Sequence, residues 1–145
     1  MADTFTHFRY FGRVSHVLAG LGLLLWVVSL FAPTLKGTSG FELAYVSLAG
    51  GAEYFFGGTW SALANFALPW ASLRLMAGKP VTPLVVTMVA VVFSSPLFWS
   101  LLFDTTHEGW GVWAWTVAIL TITAAWWAQR TGNNASAQVN QPQLR

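Results

Sequence analysis

Asp104, His107 and Glu108 form the densest polar cluster in the sequence. On a helical turn, positions i, i+3 and i+4 share a face. Two carboxylates and an imidazole are a donor set for a divalent metal. A hydrated loop between two apolar segments has the same composition, and Glu108 suits the positive N-terminal end of a following helix. Glu42 and Glu53 are eleven residues apart, which returns to nearly one helical face. Paired carboxylates do acid–base work or bind cations, but Gly50-Gly51 lies between them and interrupts the shared face. Solvated loop acids are the simpler reading.

Ser61 and Asn65 lie one helical turn apart inside an apolar stretch, and Pro69 follows Asn65 by four. Pro69 has no N–H, so it leaves the carbonyl of residue 65 without its helical donor. A polar side chain and a released carbonyl at one level suit an ion or a small polar ligand. They suit a bond to a neighbouring helix better, which is how intramembrane amides usually act. His7, His16 and His107 are the only histidines. His16 and His107 fall at opposite ends of the spans, so they cannot be the two axial ligands of one haem. His16 is expected to bond a headgroup, water or a backbone carbonyl. There is no Walker loop, no Gly-x-Ser-x-Gly elbow and no His-Glu-x-x-His. No catalytic residue and no cofactor are assigned.

The elements that hold these residues follow from composition. Of 145 residues, 55% are hydrophobic and 8% charged, against roughly 25% charged in an ordinary soluble domain. The absence of cysteine excludes disulfides and thiolate chemistry. A net charge of +2 is too small to indicate nucleic acid. Four apolar runs, at 14–35, 59–76, 83–103 and 110–128, read as membrane-spanning helices, each near the ~20 residues a bilayer core requires. The fold class is all-α: a four-transmembrane-helix bundle in one domain, residues 1–130. Pro83 fits a first helical turn, and Pro96 should kink the third span. Six of seven basic residues fall on one side of these spans and four of five acids on the other. The positive-inside rule then puts both termini in the cytoplasm. The first run is longer than a signal-peptide core and lacks a small-x-small cleavage pattern, so it reads as an uncleaved anchor.

Outside the spans, Phe5, Phe8 and Tyr10 with Arg9 suggest a short interfacial helix. Residues 36–58 read as an external loop whose middle, 41–56, forms an interfacial helix bent at Gly50-Gly51. Residues 131–145 have no apolar period and read as a disordered cytoplasmic tail. Trp60, Trp110, Trp113 and Trp115 mark the outer interface, and Trp70, Trp126 and Trp127 the inner one. Ala114, Ala118, Thr121 and Ala125 give the last span a small-residue packing face.

From about residue 40 to 115 the chain resembles small uncharacterised four-span bacterial inner-membrane proteins. The resemblance rests on the apolar Gly-containing loop, on Trp60-Ser61-Ala62-Leu63-Ala64-Asn65, and on Gly111-Val112-Trp113-Ala114-Trp115. Those proteins carry Asn and Pro adjacent, whereas Asn65 and Pro69 are separated here. The resemblance implies a bacterial inner membrane and no defined activity. The expected function is contact: a non-enzymatic accessory or immunity-type subunit whose partners are the bilayer and a second copy or another membrane protein. The alternative is an oligomeric channel or small-solute transporter lined by Asn65. A third is a metal- or lipid-handling enzyme using Asp104, His107 and Glu108.

Overall fold

The computed structural model describes residues 2–35, 38–49, 63–103 and 109–139. Helix α1 (Ala2–Phe31) is followed by strands β1 (Pro33–Leu35) and β2 (Thr38–Ser39), and then by α2 (Gly40–Ala49). Further along come α3 (Ala64–Met76), α4 (Thr82–Ser94), α5 (Pro96–Phe103) and α6 (Gly111–Val139). The all-α expectation holds apart from the small ribbon.

Helices α1 and α6 pair antiparallel along most of their length and form the spine. Ser15 Oγ donates to the Ala125 carbonyl at 2.9 Å at one end, and Gly111 meets Thr34 at the other. The contact is close because both faces are small. Ser15, Ala19 and Gly22 of α1 meet Ala118, Ile122 and Ala125 of α6, all of them buried. At Gly22 a Cβ would come within 2.5 Å of Ile122 Cγ1. Of the expected packing face, Ala118 and Ala125 are fully buried, whereas Ala114 and Thr121 are half-buried. The complementary strip on α1 has Ser-x-x-x-Ala spacing, which sequence reasoning passed over.

Two stretches, Gly12–Phe31 and Gly111–Asn134, are long and apolar enough to cross a membrane, with mean hydropathies of 2.1 and 1.3. The other two expected spans are different. Helix α3 has 13 residues, and 59–62 lie outside the described residues. The expected third span is two helices, because Ser95 is extended (φ −79°, ψ 121°) just before Pro96. Proline disfavours a helical residue ahead of it, so the expected kink becomes a break. The break satisfies itself: Ser95 N–H donates to Val92 O at 3.1 Å, Ser94 Oγ to Val91 O at 3.0 Å, and Trp99 Nε1 to Phe93 O at 2.8 Å. Two residues past the end of α3, Gly78 has a φ of +68°, which favours glycine.

Three boundaries move. Helix α1 stops at Phe31 rather than residue 35, because Ala32 precedes Pro33. It is continuous from Ala2, so the expected separate interfacial helix at its start is part of α1. Helix α6 continues to Val139, so the expected disordered tail is helical through its first nine residues. Within the expected 41–56 interfacial helix, α2 covers 40–49; Gly50-Gly51 and Glu53 lie outside the described residues.

The ribbon pairs Pro33 with Ser39 and Leu35 with Thr38. It hands the chain to α2 through a reciprocal cap. Ser39 N–H and Oγ donate to Glu42 Oε2 at 2.8 and 3.0 Å, and Glu42 N–H donates to Ser39 Oγ at 3.2 Å. This is a capping box. The Ser39 N–H first, and its hydroxyl second, hold the Glu42 carboxyl below the usual carboxylate range. A depressed carboxyl stabilises the fold above its unfolded pKa of about 4.3 and loses that contribution as pH falls through the folded value. The protection of the Ser39 and Glu42 amides, measured as the exchange rate relative to the intrinsic rate at each pH, should therefore fall on acidification below about pH 4. Glu42→Gln should abolish most of that pH dependence; protection in the parent that does not change with acid would exclude the cap.

Candidate functional site

Asn65 is the residue around which the helices converge. It stands in the first turn of α3 and is half-buried. Its Oδ1 accepts two hydrogen bonds, from Trp26 Nε1 of α1 at 3.1 Å and from Trp115 Nε1 of α6 at 3.0 Å. Indole N–H groups only donate, so the side-chain oxygen, and not the amide nitrogen, must face both rings. Both lone pairs of that oxygen are thereby occupied, and one atom ties three helices together.

Aromatic packing surrounds the node. Trp26 and Trp115 both pack against the buried core. The Trp115 ring lies 6.2 Å from Phe98, which is 1% exposed. Phe98 makes an edge contact with Phe93 at 5.3 Å and with Trp99 at 5.1 Å, and Trp99 stacks on Phe103 at 5.7 Å. Such pairs add about 0.5–1.5 kcal/mol each beyond area burial. The break between α4 and α5 thus packs against the node through Phe98 and Trp115.

The other expected site residues are placed as follows. Pro69 lies within α3, half-buried, one turn beyond Asn65. Ser61, Asp104, His107 and Glu108 lie outside the described residues. Among the described residues no group of three metal-ligating side chains occurs. Glu42, read as a solvated loop acid, is exposed and accepts from Ser39; Glu53 lies outside the described residues. His16 Nδ1 donates to the Gly12 carbonyl of its own helix, one of the partners expected for it. Trp115, expected as an interface marker, is turned inward to Asn65; Trp110 and Trp113 remain exposed. The partners of Asn65 were missed because an indole and an amide in one sequence carry no spacing rule. The available signal was only that an amide inside an apolar helix needs a donor or acceptor.

Among the described residues, His16 is ten residues from Trp26, about 15 Å along α1, and Glu42 belongs to the α2 cap. The arrangement orients three helices about one oxygen. No family model, no curated protein and no solved structure matches this chain.

Proposed function

We propose that this chain is a four-span integral protein of the bacterial inner membrane, with both termini cytoplasmic, that acts by contact as a non-enzymatic accessory or immunity-type subunit. The observation that carries the reading is the apolar outward surface of the spine. Val17 and Phe31 of α1 are 69% and 78% exposed, and Leu21, Leu24, Trp113, Leu120 and Trp127 are also exposed. A surface of that kind calls for lipid or protein to cover it.

Helices α3 and α4 are fastened alongside the spine. Asn65 of α3 is bonded to Trp115, and Thr82 of α4 accepts from Trp126 Nε1 at 3.1 Å. Trp115 and Trp126 are eleven residues apart, about 16 Å of rise. If α6 crosses the bilayer, these contacts place α3 and α4 beside it, which supports the four-span reading. The two-sided distribution of charge supports cytoplasmic termini. The node argues for contact rather than conduction, because the oxygen that would line a path is already doubly bonded.

Crosslinking in native membranes, followed by purification of the full chain in mild detergent, tests the reading. The expected product is a complex of fixed stoichiometry with a second copy or another membrane protein, reproducible from purified components. A lone monomer would overturn it.

A further inference from the structure

We infer that the end of the bundle formed by the α3–α4 turn and the C-terminal half of α6 holds the phosphate-bearing headgroup of an anionic phospholipid. The inference rests on the membrane reading above and names a ligand for one of its faces. Hydrogen bonds bring the parts of this end together. Ser15 Oγ to Ala125 O, at 2.9 Å, fixes the level of α1. Trp126 Nε1 to Thr82 Oγ1, at 3.1 Å, and Gln129 Nε2 to Lys79 O, at 3.5 Å, fasten the start of α4 and the turn before it to α6. Lys79 N–H donates to Arg74 O at 2.8 Å and closes the turn.

Arg13 precedes Ser15 by two residues and Arg130 follows Ala125 by five. Because α1 and α6 are antiparallel, both stand toward the same end as Arg74 and Lys79. Four cations are therefore gathered there. The one carboxylate whose side chain is described, Glu42, is engaged by Ser39 next to the ribbon, at the other end. Asp3 lies ten residues before Arg13, about 15 Å further along α1.

A second observation points to an acceptor. Arg74 Nε is buried and has no hydrogen-bond partner among the described residues. The Arg74 side chain is half-buried, and a phosphate offers the accessible part of its planar guanidinium a two-point partner. Arg130 is held 5.7 Å over the Trp126 ring, which fixes a second cation beside an indole of the kind that sits at headgroup level. Exposed apolar surface adjoins the cations: Met76 follows Arg74 by two residues and Trp127 precedes Arg130 by three. A free phosphate would leave that surface bare, whereas the glycerol and acyl portion of a lipid covers it.

Native mass spectrometry of the full chain in zwitterionic detergent, titrated with phosphatidylglycerol, phosphatidylcholine or inorganic phosphate, tests the assignment. Phosphatidylglycerol should bind at least about tenfold tighter than phosphatidylcholine, and affinity should fall about fivefold for each cation removed. Arg74→Gln removes the buried donor. The double variant K79Q/R130Q changes two exposed side chains and keeps the test valid if Arg74→Gln fails to fold. Equal binding of the two lipids, or an unchanged preference in K79Q/R130Q, overturns the inference. Binding of inorganic phosphate alone with the same variant sensitivity overturns the lipid assignment. Alkaline carbonate extraction separates the two readings. Release from the membrane would defeat both, whereas retention without phosphatidylglycerol preference defeats only this one.

Discussion

Asn65→Leu should loosen the whole bundle, although it replaces a polar residue in an apolar setting by an apolar one of similar size. The reason lies in what it leaves behind. Trp26 Nε1 and Trp115 Nε1 both donate to Asn65 Oδ1, and both indoles are held by packing against the core. An unpaired buried donor costs about 1–3 kcal/mol, and interhelical bonds within membranes measure about 0.6–1.7 kcal/mol each. The substitution should therefore cost about 2 kcal/mol, read as a lower Tm in detergent. Both indoles should also become accessible to a water-soluble fluorescence quencher. Trp26→Phe and Trp115→Phe each remove one donor and leave the oxygen with the other, so each should cost less than Asn65→Leu. A pathway-lining Asn65 would give the opposite pattern, with an unchanged Tm and altered permeability of liposomes. An Asn65→Leu protein as stable as the parent would show that the node holds nothing together.

The node also marks where sequence reading stops. That Asn65 requires a partner follows from its place in an apolar helix. That the partners are Trp26, 39 residues before it, and Trp115, 50 residues after it, depends on the depth at which three separate helices align. No local pattern encodes that depth. Tryptophans also have a strong alternative reading as interface markers; Trp110 and Trp113 are exposed, whereas Trp115 is turned inward to Asn65. The breaking power of Pro33 and Pro96 was legible from steric rules, although their strength was underestimated at 32–35 and at Ser95. Ser39-x-x-Glu42 was legible as a cap, but Glu42 was weighed only against Glu53 and then read as a solvated loop acid. The extension of α6 past residue 131 was hidden by Gly132, Asn133 and Asn134, which are poor helix formers; Ala135, Ala137 and Gln138 beyond them are good ones. The ribbon at 33–39 was not legible, because so short a segment has no period and is held mainly by what lies against it.

What lies against it is glycine, and Gly109→Ala is accordingly expected to be strongly destabilising for a change of one methyl group. A Cβ at Gly109 would stand 2.4 Å from Pro33 O and 2.5 Å from both Thr34 C and Thr34 Cα. These are backbone atoms, so no side-chain rotation relieves the clash. The ribbon cannot retreat either. It is closed by Thr34 Oγ1 donating to Thr38 O at 3.0 Å, and anchored by Gly40 N–H donating to Ala32 O at 3.1 Å. Gly111 repeats the approach, with Thr34 Cγ2 at 2.8 Å and Pro33 O at 2.9 Å. The methyl must therefore part α6 from the ribbon, at about 3 kcal/mol or more, the upper range for overpacking. Gly20→Ala is the matched control. It adds the same methyl to α1 with nothing within 4 Å, and should leave stability within about 1 kcal/mol of the parent or raise it. Thermal unfolding of both variants, with amide exchange at Thr38 and Ser39, separates the outcomes. Gly109→Ala should lower Tm and expose the ribbon amides while Gly20→Ala does neither, because the added atom matters only where two backbones already touch.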